Sequence, residues 1–365
     1  MGDSALSREP SECIRPAFDG MFPVSLPRMG KLPRNPLGKQ GPWSWALEPV
    51  RGCNLRCGHC ATRLFDHGPI FISEFVWRKL WETIGIVSPK TRVEMANAGE
   101  PTLHSNLLGL VRMARELSPY SQIQITTNGT KLASGDLTHR SLFDAGINIV
   151  YVDMYASSVV HEKLARESGE QYYFYHAKPK GAPGAWAYTS PELRLIVLME
   201  QPANWPMSRR NLRRLGTFYN HLDWEAASPF GLRPVVHPPR QGCTQPFRYV
   251  SVHVDGSYEL CCQDFMGETA GTLGTVLDGP SGFMQFWFGM KMQDARRKLR
   301  ARCRSALSEC ARCSITFSRS NMRMWRDEQL ESWWDGKQWL KLPDVGSIGC
   351  QSKEKRRDCS FDLLG

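Results

Sequence analysis

The sequence predicts an α/β fold built on parallel strands, followed by a second unit that carries its own cysteines. Three observations predict it. From Trp43 onward, short apolar strand-like runs alternate with amphipathic helical stretches. Near Pro229 the alternation stops in a segment dense in Pro and Gly, and at Cys243 a hairpin pattern with new cysteines begins. With 365 residues, 41% hydrophobic and 22% charged, the chain can bury one large core or two medium ones, so one catalytic domain with a smaller appendage is the expected plan.

Residues 1–42, ending PVSLPRMGKLPRNPLGKQGP, have no sustained period and read as an extension that wraps or stays mobile, with no chemistry assigned. The alternation then runs WALEPV, SEFVWRKLWETIG, TRVEMA, NLLGLVRMAREL, IQITT, THRSLFDAG, INIVYVDMY and, later, ELRLIVLM. Repeated β-α units of this length suit a doubly wound sheet or a full or partial barrel. In either, functional loops follow the C-terminal ends of the strands. After the linker PFGLRPVVHPPRQG, the segment YVSVHVDGSYELCC reads as a β-hairpin with Asp255-Gly256 at its turn, so Cys243 and Cys261 can share a metal. One helix is expected around FMQFWFGMKMQDARRKLRARC, leading toward Cys310 and Cys313. Beyond about Asn321 the chain is Trp-rich and ends in the charged tail QSKEKRRDCSFDLLG, which receives no assignment. The expected segments are therefore an extension over 1–42, a core over 43–235, a cysteine unit over 240–320 and a tail over 321–365.

No apolar run approaches the roughly 18 residues a membrane-spanning helix needs, and the start MGDSALSREPSECIRPAF has no apolar core segment of a secretory signal. The expectation is a soluble protein in a reducing cytoplasm, a host's if the chain is viral. Twelve cysteines there point to metal or redox chemistry before disulfides. They fall at 53/57/60, 243, 261/262, 303/310/313 and 350/359, with Cys13 alone, which makes two metal regions. The net charge of +10 is also local. Between Lys291 and Arg326, eleven basic residues (Lys291, Arg296, Arg297, Lys298, Arg300, Arg302, Arg304, Arg312, Arg319, Arg323, Arg326) face two acids, Asp294 and Glu309. With Trp325, Trp333, Trp334 and Trp339 following, the stripe reads either as a polyanion-binding face with stacking rings or as a solvated helix whose stems cover a core.

RGCNLRCGHC carries the chemistry. A closed zinc site wants four protein ligands, whereas Cys53, Cys57 and Cys60 offer three thiolates on one loop and leave a corner open. An iron–sulfur cube tolerates that, because its fourth iron can bind a chelating small molecule. Here the sequence resembles the radical S-adenosylmethionine superfamily, whose defining loop is Cx3CxΦC after the first strand, with His59 in the Φ slot. The family's Gly-Gly-Glu-Pro motif, which contacts the methionine amino group, is matched by Ala98-Gly99-Glu100-Pro101, its first Gly replaced by Ala. Thr126-Thr127-Asn128-Gly129-Thr130 is similar to the TNG segment lining the same pocket, and Asp153 stands where relatives often carry a ribose-contacting Ser. Arg194 and Glu200 flank the fifth strand and are expected at the methionyl carboxylate or the ribose. The resemblance implies a partial (β/α)6 TIM-like barrel.

Cys243, Gly256 and Cys261 match the opening signature of the SPASM and twitch extensions of this superfamily, and Cys310 and Cys313 supply a closing pair. The resemblance implies one auxiliary [4Fe–4S] cluster on Cys243, Cys261, Cys310 and Cys313. Cys262, Cys303, Cys350 and Cys359 are further candidates whose spacing departs from the full SPASM pattern. Two structural zinc sites are the alternative, and they would leave AGEP and TNGT without a reason. The family chemistry implied is reductive cleavage of S-adenosylmethionine to a 5′-deoxyadenosyl radical that abstracts hydrogen from a substrate carbon, with an external electron donor. The basic stripe suggests a nucleotide or nucleic-acid substrate, so the expectation leans to an isomerase that rearranges an amino-acid adduct on thymine in viral DNA hypermodification. Ribosomal-peptide maturation, oxidation of a small alcohol or sugar, and a non-catalytic metal-dependent nucleic-acid-binding protein are the alternatives.

Overall fold

Strands β1 (Ser44–Leu47), β4 (Arg92–Met95), β5 (Gln122–Thr127) and β6 (Ile149–Asp153) form the centre of a mostly parallel sheet. The computed structural model describes residues 35–37, 40–56, 60, 62, 65, 67–153, 172–176, 194–200, 242–262, 264, 267–311, 332–335 and 337–341. Two short strands, β2 (Val50–Arg51) and β3 (Ile70–Phe71), pair with each other on either side of the cysteine loop. Strands β7 (Tyr172–His176) and β8 (Leu195–Glu200) complete one edge, with β8 inserted between β6 and β7.

The other edge differs from expectation. The hairpin of β9 (Tyr249–Val252) and β10 (Tyr258–Glu259) forms with Asp255 and Gly256 at its turn, but it is not a sheet of its own. β9 pairs in parallel with β1, Ser44 opposite Tyr249 through Leu47 opposite Val252, and the full order is β10-β9-β1-β4-β5-β6-β8-β7. The cysteine unit thus extends the core sheet. Among the described residues the sheet is open: β10 and β7 are its edges.

The strands alternate, and the alternation sorts the two faces. Trp45, Leu47, Val93, Met95, Ile123, Ile125, Val150, Val152, Val250 and Val252 are buried in one core. Helices α1 (Glu74–Val87) and α2 (Leu107–Leu117) join that core through Trp77, Leu80, Trp81, Ile84, Leu110, Val111 and Ala114. The 3.6-residue spacing of these side chains makes each helix amphipathic, and each fully buried large one contributes about 1.5–3 kcal/mol. Ser73 caps α1 by accepting from Val76 N at 3.2 Å. The opposite set of strand positions is polar: Ser44, Arg92, Glu94, Gln124, Thr126 and Ser251. Arg92, only 1% exposed, donates to Glu94 at 2.8 Å, to Gln124 at 3.0 Å and to Ser44 at 3.1 Å, which gives both terminal nitrogens of its guanidinium a partner.

The expected single helix over FMQFWFGMKMQDARRKLRARC is two, α5 (Gly279–Phe288) and α6 (Met290–Arg300), because Gly289 is extended at φ −69 and ψ 163. In α5, Phe286 stacks on Tyr258 of the hairpin and Phe283 on Trp45 of β1, with Trp287 stacked on Phe283, locking this region onto the sheet. Of the extension, the described residues wrap: Asn35 exchanges two hydrogen bonds with Lys90, and Gln40 O accepts from Trp287 Nε1 at 2.8 Å. The linker near Pro229 lies outside the described residues.

Part of the basic stripe is turned inward. Arg296, Arg297 and Arg304 are buried at 0%, 6% and 2% exposure, and Lys298 pairs with Asp294 at 2.7 Å. The guanidiniums cap backbone carbonyls inside the protein, a use that a charge count cannot distinguish from an exposed face. Of the tryptophans, Trp334 in the hairpin of β11 (Ser332–Trp334) and β12 (Trp339–Lys341) packs against the core. Trp325 and the side chains of Trp333 and Trp339 lie outside the described residues.

Candidate active site

The cysteine loop leaves the sheet between β2 and β3, and its root is sewn to the AGEP turn. Gly52 N donates to Ala98 O at 3.0 Å, and Glu100 N donates to Gly52 O at 2.9 Å. The close approach requires Gly99, since a Cβ there would lie 1.9 Å from Val50 O. Gly52 itself is left-handed at φ +113, which turns the chain into Cys53.

Glu100 gathers the second and third strand ends. Its Oε1 accepts from Thr102 N (3.1 Å), Thr102 Oγ1 (2.5 Å) and Thr127 Oγ1 (2.7 Å), and its Oε2 accepts from Asn128 N (2.7 Å). Burial pushes the Glu100 carboxyl above its ordinary value, while these four donors act to keep it ionised. Gly129, left-handed at φ +77, then ends β5 and opens α3 (Thr130–Ser134). That turn aims the Asn128 side chain at the cysteine loop: Nδ2 donates to Asn54 Oδ1 at 2.9 Å and lies 3.5 Å from Cys53 Sγ. Asn54 Nδ2 in turn donates to Thr130 Oγ1 at 2.8 Å. Asn54 and Thr102 are the members of this network that motif reading missed.

The donor set at Cys53 fits an iron–sulfur ligand. Leu55 N donates to Cys53 Sγ at 3.3 Å, and both it and the Asn128 amide favour the thiolate over the thiol. Burial, with the nearby Glu100 and Cys60, pushes the Cys53 thiol up, and binding to iron would remove that proton outright. Cys60 is half-buried with Thr62 Oγ1 at 3.2 Å. Cys57 and His59 lie outside the described residues.

The remaining cofactor candidates divide. Asp153 ends β6 and Glu200 ends β8 on adjacent strands, with Asp153 opposite Met199. Both stand at the C-terminal ends of parallel strands, on the same side as the Cys53, Glu100 and Asn128 loops. Arg194 precedes β8, roughly 20 Å along the strand from Glu200 at about 3.3 Å per residue. The structure does not bring it to the pocket, because residues at the two ends of one strand face opposite rims of the sheet.

A second buried polar group, unseen in the sequence, lies where β1 meets the hairpin. Glu48 Oε2 accepts from Val254 N at 3.0 Å and pairs with Arg51 at 3.5 Å. His253 Nε2 contacts Glu259 Oε1, and Glu259 Oε2 accepts from Ser251 Oγ at 3.2 Å. Asn97, beside the AGEP turn, donates to the same Ser251 at 3.2 Å. Burial pushes Glu48 up and Glu259 well up, and pushes His253 down.

At the auxiliary site, Cys243 and Cys310 are buried and Cys261, Cys262 and Cys303 half-buried, while Cys313, Cys350 and Cys359 lie outside the described residues. Among the described residues no three His, Cys, Asp or Glu side chains gather as a metal site. The surroundings of Cys243 nevertheless suit a cluster. Thr244 is fully buried and its hydroxyl has no hydrogen-bond partner among the described residues, an orphan that a cluster sulfur would satisfy.

Comparison with known proteins agrees with this division. Residues 47–174 match the Radical SAM superfamily, and residues 243–314 match the SPASM family, described as an iron–sulfur cluster-binding domain. Over 107 residues the chain is 29% identical to 7,8-dihydro-6-hydroxymethylpterin dimethyltransferase of Methanocaldococcus jannaschii, covering 29% of this chain and 21% of that protein. The chain thus spans about a fifth of that curated relative's length. The solved structure of BtrN in complex with AdoMet and 2-DOIA superposes with a TM-score of 0.51 at 18% identity, over 74% of this chain and 92% of BtrN. Native anSMEcpe with bound AdoMet and Cp18Cys peptide gives a TM-score of 0.43 at 14% identity, over 78% of this chain and 95% of that one. The first domain implies a [4Fe–4S] cluster with S-adenosylmethionine, and the second implies auxiliary iron–sulfur clusters. The cysteine loop sewn to AGEP and TTNGT thus lies in a radical SAM domain, and a SPASM iron–sulfur cluster-binding domain continues the same sheet.

Proposed function

We propose that this enzyme abstracts hydrogen from a carbon of a polar substrate held over the C-terminal ends of β1, β4, β5 and β6. The observation that carries the reading is the Glu100 network, which ties the root of the cysteine loop to the ends of β4 and β5. When bound, the [4Fe–4S] cluster of Cys53, Cys57 and Cys60 supplies the electron that cleaves S-adenosylmethionine to a 5′-deoxyadenosyl radical. The chain's own residues bind and orient. Glu100 Oε2, which accepts one hydrogen bond, has capacity for an ammonium, and Asn128 fixes the position of Cys53. That Asp153 and Glu200 end adjacent parallel strands on this rim supports a role for them toward hydroxyl groups of the nucleoside. The polar sheet face, with the Glu94 side chain 24% exposed, favours a substrate rich in hydroxyl or amino groups.

For the outcome, we favour rearrangement of an amino-acid adduct on a thymine base, with net oxidation of an alcohol or a peptide side chain as the competing reading. Lys291, Arg300 and Arg302 remain exposed on α6 and the turn after it, and these cations support a nucleic-acid substrate. Anaerobically reconstituted protein with dithionite and S-adenosylmethionine is expected to form 5′-deoxyadenosine. A salt-sensitive mobility shift on DNA supports the base substrate, and unaltered mobility at low salt overturns it.

A further inference from the structure

Hydrogen bonds hold the AGEP turn from three directions. The cysteine loop supplies the first set, from Gly52 N to Ala98 O and from Glu100 N to Gly52 O. The end of β5 supplies the second, through Thr127 and Asn128 on the Glu100 carboxylate. The third comes from the hairpin of β9 and β10. Asn97 Nδ2 donates to Ser251 Oγ at 3.2 Å, although 154 residues separate the two in the chain.

That third bond spans a strand. β1 lies between β4, which runs into the turn, and β9, which carries Ser251. Ser251 is a fixed post: it is fully buried, stands opposite Ala46 in the ladder of β1 and β9, and donates its one hydroxyl proton to Glu259 Oε2 at 3.2 Å. The Ser251 oxygen is then left to accept, which sets the Asn97 amide with its N–H toward the hairpin. Glu48, at the end of β1, links the same two parts. Burial opposes its carboxylate, while the N–H groups of Val254 in the hairpin and Ala98 in the turn both favour it.

We propose that Asn97 and Ser251 are positioning residues, through which the hairpin holds the AGEP turn in the shape that binds S-adenosylmethionine. The Gly52 bonds join backbone to backbone along one seam, and a side-chain bond from outside that seam fixes the tilt of the turn about it. Cofactor affinity thus depends on a buried serine of the cysteine unit. This rests on the reading that Glu100 of the same turn meets the cofactor's ammonium.

The test is equilibrium binding of S-adenosylmethionine to the anaerobically reconstituted full chain, at matched iron content and a temperature where every variant is folded. Asn97→Ala removes the donor and Ser251→Ala the acceptor. Each should weaken binding roughly 2- to 10-fold, the range of one neutral hydrogen bond, and the double variant should bind no more weakly than the weaker single. Amide hydrogen exchange gives a second readout. The Gly52 and Glu100 amides, which close the seam, should exchange faster in both variants while those of β1 and β4 keep the parent's rates. Should Ser251→Ala fail to fold, Asn97→Ala decides, since it leaves the bond from Ser251 to Glu259 in place. Parent affinity in folded Asn97→Ala, or losses in the two single variants that add in the double, would overturn the positioning role. Glu100→Gln separates the two levels: unchanged affinity there removes the turn from the cofactor site and the proposal with it, whereas a loss confined to Glu100→Gln overturns the proposal alone.

Discussion

Asn128 reaches across 75 residues to place its Nδ2 3.5 Å from Cys53 Sγ, while the same amide donates to Asn54 Oδ1 at 2.9 Å. One side chain therefore fixes Cys53 and its neighbour. Asn128→Leu keeps the branched shape but removes both donations, and the Thr130 N–H and hydroxyl that donate to Asn128 Oδ1 lose their acceptor. Partners of this kind are worth roughly 10–100-fold in metal affinity or activity. The expected outcome is a loss of that order in 5′-deoxyadenosine formation with the auxiliary cluster retained, checked by product quantification beside an iron count. Wild-type turnover in Asn128→Leu would show that the contact is incidental.

Glu100→Gln tests the carboxylate without changing its shape. All four of its recorded partners are donors, so one amide group would point N–H at N–H or O–H. Leaving buried donors unsatisfied costs about 1–3 kcal/mol, so the melting temperature should fall. Affinity for S-adenosylmethionine should fall further than stability accounts for, because the charge opposite an ammonium is gone. Equilibrium binding of S-adenosylmethionine, compared at a temperature where both proteins are folded, measures it; equal affinity would remove Glu100 from the cofactor site.

How much of this was legible in the sequence follows from chain distance. Cys53, Glu100 and Asn128 each sit in a short motif whose spacing reports a local turn, so they could be read one at a time. That β9 would join β1 was not legible, because parallel pairing between residues 44 and 249 leaves no local signature. The same holds for Glu48 and His253, which look like ordinary surface residues until the sheet brings them together. The arginines of α6 misled for a related reason: whether a guanidinium meets water or the carbonyl of Pro246 is decided by tertiary packing.

Gly99→Ala probes the seam between the AGEP turn and the cysteine loop. The added methyl would meet Val50 O at 1.9 Å and Gly52 O at 2.9 Å, both of them backbone atoms that no rotamer can move. Overpacking of this kind costs about 1–3 kcal/mol. The natural Ala98, one residue earlier, is buried and tolerated, so Ala98→Gly should change stability far less. Chemical denaturation of the two variants side by side checks the contrast, and equal losses would mean that the seam is not the strained point.

Glu48→Gln should make stability depend on pH in a defined direction. Burial raises the Glu48 carboxyl above its ordinary value, and Arg51 and His253 only partly offset this. Between its unfolded and folded values the folded protein holds more protons, so Glu48 costs stability as pH rises through the folded value and costs nothing below the unfolded one. Glutamine still accepts from Val254 N but carries no charge to desolvate. The variant's stability relative to the parent should therefore be most favourable above the folded value of Glu48 and decline as pH falls toward the ordinary carboxyl range. Losing the Glu48 charge also removes a contact that favours the charged imidazole of His253 and one that disfavours the charged Glu259, so both are replaced by neutral residues in a matched pair of parents. Anaerobic urea unfolding across that range measures the difference. A constant difference would mean that Glu48 keeps one protonation state throughout, and a difference growing toward acid would mean that its carboxylate is held by Arg51 more strongly than burial opposes it.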